Sequence, residues 1–318
     1  MRISGRLAIA VAGLLTGAAI VAPAAQAAQT QAAQTQAAQT QAAQTQAAQT
    51  HAAQAPARHG SATRAPGGVA APWALLANAT TGKWLWSRSP TVERPMGSIT
   101  KIMTAYLVIE AGHLNRVITV PSGIIGYDTT YDASTAGLVP GEKLTALQLL
   151  YALLLPSGCD AAYTLATAYG PGRAAFIKAM NTTARKLGLT RTHFNDFSGL
   201  PVGGEYATYS TARDLVVLGR DAMKLPLFGQ IVAQRTYSLA SGNGHRAHYW
   251  VNKNTLLWNY RGAIGIKTGQ AAAAGACLLF EARRGAKTLI GVVLHSSSFS
   301  LNAAFSDATK MLNWGFSQ

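Results

Sequence analysis

Ala263-Ile264-Gly265-Ile266-Lys267-Thr268 reads as a strand, and two further apolar runs follow it closely, Ala276 to Ala282 and Thr288 to His295. Short turns separate the three, so they are expected to pair antiparallel. Ala303 to Trp314 then takes up helical spacing. At the other end, Trp73-Ala74-Leu75-Leu76 and Trp84-Leu85-Trp86 flank Asn78-Ala79-Thr80-Thr81-Gly82, which predicts two strands joined by a turn. Between these ends the period is helical over Ser98 to Ala111, Ala146 to Leu155, Cys159 to Tyr169, Ala174 to Leu187 and Ser210 to Met223. Val117 to Val120 and the stretch around Leu138-Val139-Pro140-Gly141 suit short strands or loops. Strands at both termini with helices between them predict an α+β domain. Its mainly antiparallel sheet is built from both ends of the chain and flanked by helices, with a helical lobe beside it.

That domain is expected to occupy residues 69–318 of a chain of 318. What precedes it is different in kind. Arg2 and Arg6 open the chain, Leu7 to Ala22 is apolar, and Ala25-Gln26-Ala27 is a small-residue cleavage pattern. Residues 1–27 therefore read as a secretory signal peptide. An uncleaved anchor is the competing reading, weakened by Gly13 and Gly17 inside the run. Residues 28–68 repeat Ala-Ala-Gln-Thr-Gln and then turn rich in Pro, Gly and Arg. With no bulky apolar side chain, such a segment cannot offset its ordering entropy, and a flexible tether is expected.

The formal charge is +15. A strongly basic exported protein suits an anionic cell-wall polymer as partner. Nucleic acid is not expected, because the basic residues are scattered and do not interleave with aromatics. Two cysteines, Cys159 and Cys277, permit one disulfide but form no metal-ligand spacing, and the seven histidines are dispersed. No metal or other cofactor is expected.

Three short motifs carry the chemistry. Ser98-Ile99-Thr100-Lys101 puts a hydroxyl and an amine three residues apart, on one face of a helix. The run that follows is apolar nearly all round, so the helix is expected to be buried. Burial disfavours the charged form of a lysine and suits it to act as a base. The backbone N–H of Ser98, at a helix start, is available to an oxyanion. Ser157-Gly158-Cys159-Asp160 follows Pro156 and has the spacing of a capping box, with Ser157 as N-cap. Lys267-Thr268-Gly269 ends a strand and offers an ammonium and a hydroxyl to an anionic group. Each motif alone fits a plain structural role better than a catalytic one.

Their combination and order are far more specific. Ser-x-x-Lys, then Ser-x-Asn or a variant, then Lys-Thr-Gly resembles the penicillin-binding proteins and serine β-lactamases. Over residues 70–318 the chain is similar to the low-molecular-mass D-alanyl-D-alanine carboxypeptidases of peptidase family S11, including an actinobacterial D,D-transpeptidase type whose second motif is also Ser-Gly-Cys. The resemblance implies a five-stranded, mainly antiparallel sheet with a helical lobe. It implies Ser98 as nucleophile, Lys101 as proton acceptor and Ser157 as proton relay. Lys267, Thr268 and Gly269 would hold the substrate carboxylate, with Cys159 beside them. The backbone N–H groups of Ser98 and Gln270 would form the oxyanion hole. The implied partners are stem peptides ending in D-Ala-D-Ala and, as covalent inhibitors, β-lactams.

Two departures stand out. Cys159 occupies a position where most relatives have Asn, and a thiol is a weaker hydrogen-bonding group than an amide. Ala271 stands two residues after Gly269, where many relatives carry a hydroxyl. Two other functions compete. A β-lactamase of the most similar class needs a carboxylate in a Glu-x-x-Leu-Asn context after the second motif, and Asp196, Glu205, Asp214, Glu281 and Asp307 all lack it. A non-catalytic wall-binding protein would have no use for a lysine in an apolar helix. His193 is expected to be structural, His295 a satisfied strand-end residue and Cys277 a buried apolar filler. A Cys159–Cys277 disulfide is the less favoured reading.

Overall fold

The computed structural model describes residues 65–318. The expected signal peptide and all but the last four residues of the expected tether lie outside the described residues. Strand β1 (Trp73–Asn78) and β2 (Trp84–Arg88) form the N-terminal hairpin. In its turn the Asn78 carboxamide oxygen accepts the Thr81 N–H at 2.8 Å, a local bond that asparagine supplies readily. The three C-terminal strands are β7 (Ala263–Ala271), β8 (Gly275–Arg284) and β9 (Lys287–Leu294). All five make one antiparallel sheet in the order β2-β1-β9-β8-β7. The sheet is thus closed by β1 against β9, Trp73 opposite Leu294 and Asn78 opposite Leu289.

Both faces of the sheet are covered, which is why β8 reads as an unbroken apolar run. One face presents Leu76, Leu278, Phe280 and Val293 to the last helix, which buries Ala304, Ala308, Met311 and Leu312 against them. The other face presents Leu75, Leu279, Ile290 and Val292 to the helical layer. Among the described residues, eight helices precede that last one. They are α1 (Lys101–Ala111), α2 (Gly123–Thr130), α3 (Ala146–Leu154), α4 (Cys159–Ala168), α5 (Arg173–Lys186), α6 (Ala212–Met223), α7 (Pro226–Val232) and α8 (Leu256–Asn259). The last helix, α9, spans Leu301–Ser317, longer at both ends than its apolar spacing suggests. Among the described residues, two small antiparallel two-stranded sheets complete the fold, β3 (Val117–Thr119) with β4 (Lys143–Thr145) and β5 (Thr236–Leu239) with β6 (His248–Val251).

Several expected boundaries move for local reasons. Gly97–Thr100 is a 3-10 turn, and α-helix begins only at Lys101. Ser210 is extended because its backbone pairs with Arg94, so α6 begins at Ala212, capped by the Thr211 hydroxyl on the Asp214 N–H at 3.1 Å. Cys159 and Cys277 are both buried and free, so the disulfide does not form. Cys277 turns its sulfur to the Ala274 carbonyl at 3.3 Å, and burial pushes its thiol up to about 12, so it stays protonated.

Candidate active site

A cavity of about 570 Å³ opens between the sheet edge at β7 and the helical lobe. Ser98, Ser157, Cys159, Lys253, Thr268 and Gln270 are among its lining residues. All three motifs therefore meet at one place, although they are far apart in sequence.

Two glycines make the meeting close. The 3-10 turn that carries Ser98 lies directly on β7. A Cβ on Gly269 would come within 2.2 Å of the Met96 carbonyl oxygen, and a Cβ on Gly97 within 2.8 Å of the Gln270 nitrogen. Gly97 also has φ of +53°, a backbone that side chains disfavour. Only bare backbone fits here, and the result sets the Gln270 backbone beside Ser98.

Lys101 is wholly buried at the start of α1. Its Nζ contacts Ser98 Oγ at 2.7 Å, Cys159 Sγ at 3.2 Å and the Ser198 carbonyl oxygen at 2.9 Å. As an ammonium it donates to all three. As a neutral amine it has two N–H bonds and one lone pair. If the two N–H bonds go to Ser198 O and Cys159 Sγ, the lone pair is left facing the Ser98 hydroxyl. A hydroxyl so placed can be activated by its neighbour.

Ser157 does not cap α4. The N-cap is Gly158, and no capping box forms. The carboxylate of Asp160 turns away to a distant loop, accepting N–H bonds from Ala136 at 2.9 Å and Leu138 at 2.9 Å besides its neighbour Ala161 at 2.8 Å. Ser157 instead has φ of +68° and its carbonyl is held by Ser134 Oγ at 2.8 Å. Its own Oγ is buried without a hydrogen-bond partner. An unpaired buried hydroxyl on a cavity wall is free to bond a ligand that enters there.

Lys267 points inward from β7 and is 1% exposed. Its Nζ reaches the Thr268 carbonyl at 3.0 Å and Thr268 Oγ1 at 3.4 Å. Burial, with the charges of Lys101 and Lys253 added, holds its amine well below the usual lysine range. Lys253, between β6 and α8, was not singled out by the motifs. It lines the cavity, and burial and then Lys101 lower its amine too. A signal for it exists in Asn252-Lys253-Asn254, where both asparagines are buried and shape the turn. Asn252 donates to the Val232 and Gln234 carbonyls at 3.2 and 3.0 Å and accepts from the Asn254 N–H at 2.9 Å. The Ser198 carbonyl is the other contributor that no motif marked.

His193 lies outside the cavity, paired through its backbone with Tyr209. His295 follows β9 and reaches the Ala274 carbonyl through Nδ1 at 3.1 Å. Neither lines the cavity.

Sheet, lobe and cleft together define a serine acyl-transfer protein of the penicillin-binding type. The family model of the D-alanyl-D-alanine carboxypeptidases, peptidase S11, matches residues 59–298. A D-alanyl-D-alanine carboxypeptidase of Streptomyces sp. strain K15 is 43% identical over 78% of this chain and 88% of its own. D-alanyl-D-alanine carboxypeptidase DacB2 of Mycobacterium tuberculosis is 37% identical over 79% of this chain and 84% of its own. Among solved structures, the Streptomyces K15 DD-transpeptidase superposes with a TM-score of 0.74 at 43% identity, covering 79% of this chain and 98% of that one. The chain belongs to peptidase family S11, the D-alanyl-D-alanine carboxypeptidases and DD-transpeptidases.

Proposed function

We propose that this protein acts on peptidoglycan stem peptides ending in D-Ala-D-Ala through an acyl-Ser98 intermediate, and that β-lactams acylate the same serine. The contact of 2.7 Å between Lys101 Nζ and Ser98 Oγ carries this reading. Lys101 takes the hydroxyl proton as Ser98 attacks the carbonyl of the penultimate D-alanine. The backbone N–H groups of Ser98 and Gln270 receive the oxyanion. Ser157 passes a proton to the leaving D-alanine. Lys267, Thr268 and Gly269 receive the terminal carboxylate. That anion offsets the burial that disfavours the charged lysine, so substrate entry favours the protonated form of Lys267. Water then releases the acyl group, or the amine of a neighbouring stem peptide takes it.

The apolar N-terminal run with its Ala-x-Ala site supports export to the cell-wall space. No helix among the described residues is long and apolar enough to cross a membrane. The charge of +15 supports retention by anionic wall polymers, and a role in wall maintenance and cell shape fits the same chemistry.

The test is the intact mass of the protein after benzylpenicillin, with Ser98→Ala alongside, together with D-alanine release from a stem peptide. A slow-clearing adduct on the parent alone, with D-alanine released, supports the reading. Rapid clearance would favour a β-lactamase, and neither adduct nor D-alanine release would leave a binding protein.

Cys159 gives a second expectation. Its thiol accepts from Lys101 but offers a substrate little. Cys159→Asn adds an amide that can do both, and is expected to raise the acylation rate roughly tenfold, about the worth of one good hydrogen bond. An unchanged rate would show that the thiol of Cys159 does not limit acylation.

A further inference from the structure

Asp196 is 1% exposed, and none of the ion pairs among the described residues includes it. Its two oxygens are nevertheless fully engaged. Oδ2 accepts the backbone N–H of Ser198 at 2.7 Å, of Gly199 at 2.7 Å and of Leu200 at 3.1 Å, and the Ser198 hydroxyl at 2.8 Å. Oδ1 accepts the Tyr127 hydroxyl at 2.6 Å, and that hydroxyl also touches Ser198 Oγ at 2.7 Å.

Three consecutive N–H groups converging on one oxygen fix the backbone of the turn that follows Asp196. The turn delivers two carbonyls to one face of α1. Phe197 O accepts from Thr104 Oγ1 at 2.5 Å, and Ser198 O accepts from Lys101 Nζ at 2.9 Å. Tyr127 anchors the far side of the carboxylate, with its ring 5.3 Å from that of Phe197 and 5.3 Å from that of Tyr163. The direction of the Lys101 lone pair depends on where its two N–H bonds are held. One of those holds, the Ser198 carbonyl, is set by Asp196.

We propose that Asp196, braced by Tyr127, is a positioning residue that aims the Lys101 amine at Ser98 through the Ser198 carbonyl. The proposal rests on Lys101 being the proton acceptor. It assigns a buried acid with no cationic partner a task in the reaction without contact with substrate.

The experiment follows the rate and the final extent of benzylpenicillin adduct formation by intact mass, across drug concentrations, in the full chain. Asp196→Ala removes the clamp. It is expected to reach full adduct roughly a hundredfold more slowly, the cost of an ångström-scale misplacement, with the half-saturating drug concentration unchanged. Asp196→Asn keeps one oxygen for the three N–H groups and is expected to stay within about threefold of the parent. Tyr127→Phe frees only Oδ1 and is expected to slow acylation about fivefold at full extent. A merely structural role would lower the extent of labelling rather than its rate.

An Asp196→Ala protein that labels fully at the parent rate overturns the proposal, as does an Asn variant as slow as Ala. Should Asp196→Ala not fold, Tyr127→Phe decides, and an unchanged rate there rejects the brace. Lys101→Met separates the two readings. If it acylates normally, the assignment of Lys101 fails. If it is inert while Asp196→Ala is unimpaired, only the positioning role fails.

Discussion

Lys101→Met is expected to give a folded protein whose Ser98 acylates roughly a thousandfold more slowly, the usual worth of a well-placed general base. Methionine fills nearly the same volume, so the apolar packing of α1 around Ile102 and Met103 is kept. What is lost is the amine 2.7 Å from Ser98 Oγ, the proton acceptor proposed above. The Ser198 carbonyl also loses a buried donor, and leaving such a group unpaired costs about 1–3 kcal/mol of stability. Lys267 and Thr268, the proposed holders of the carboxylate, are untouched, so KM for a stem peptide should change little while kcat collapses. A variant that kept kcat and lost KM would show that Lys101 serves binding, not proton transfer.

Gly269→Ala should also be damaging, although it removes no polar group. The new methyl would sit 2.2 Å from the Met96 carbonyl oxygen and 3.0 Å from Ile99 Cγ1. The first of these is backbone of the segment that carries Ser98, so it cannot swing aside as a side chain does. The 3-10 turn must lift off β7 and take Ser98 away from Gln270. A shift of this size is expected to lower acylation roughly a hundredfold and to cost about 1–3 kcal/mol in overpacking. Gly126→Ala is the control. It lies within α2, its Cβ would meet nothing within 4 Å, and the change should leave acylation untouched. Adduct kinetics and thermal melting of both variants check the pair. Parent-like acylation by Gly269→Ala would mean that the close approach does not hold the site together.

Much of this architecture is legible in the sequence because its signals are local. Strands β1, β8 and β9 are largely apolar runs, and α1 is recognisable by being apolar nearly all round. The three motifs converge as their order suggests. What escapes sequence reading depends on partners distant along the chain. Asp160 has capping-box spacing, yet its carboxylate is used by Ala136 and Leu138, and Ser157 is left in a strained backbone instead of an N-cap. Asp196 reads as an acid without a catalytic context because its role passes through the backbone of the residues after it. Lys253 sits in a hairpin-to-helix connection with no motif of its own, and only the fold brings it to the cleft. Ser98 opens a helix in the sequence but a 3-10 turn in the structure, because two glycines press that turn onto a strand more than a hundred and sixty residues away.

The pairing of β1 with β9 has a consequence for how the molecule comes into being. β1 is among the first elements of the domain to be synthesised and β9 among the last, so β1 waits for its partner while nearly the whole domain is made. Closing so long a loop is entropically costly and slows folding. Until β7, β8 and β9 arrive, the helical layer lacks the sheet it packs on, and Ser98 lacks the floor that sets its backbone. A chain made N-terminus first therefore carries Ser98, the proposed nucleophile, early and can use it only at the end. Labelling of Ser98 would thus report completion of the chain as well as its chemistry.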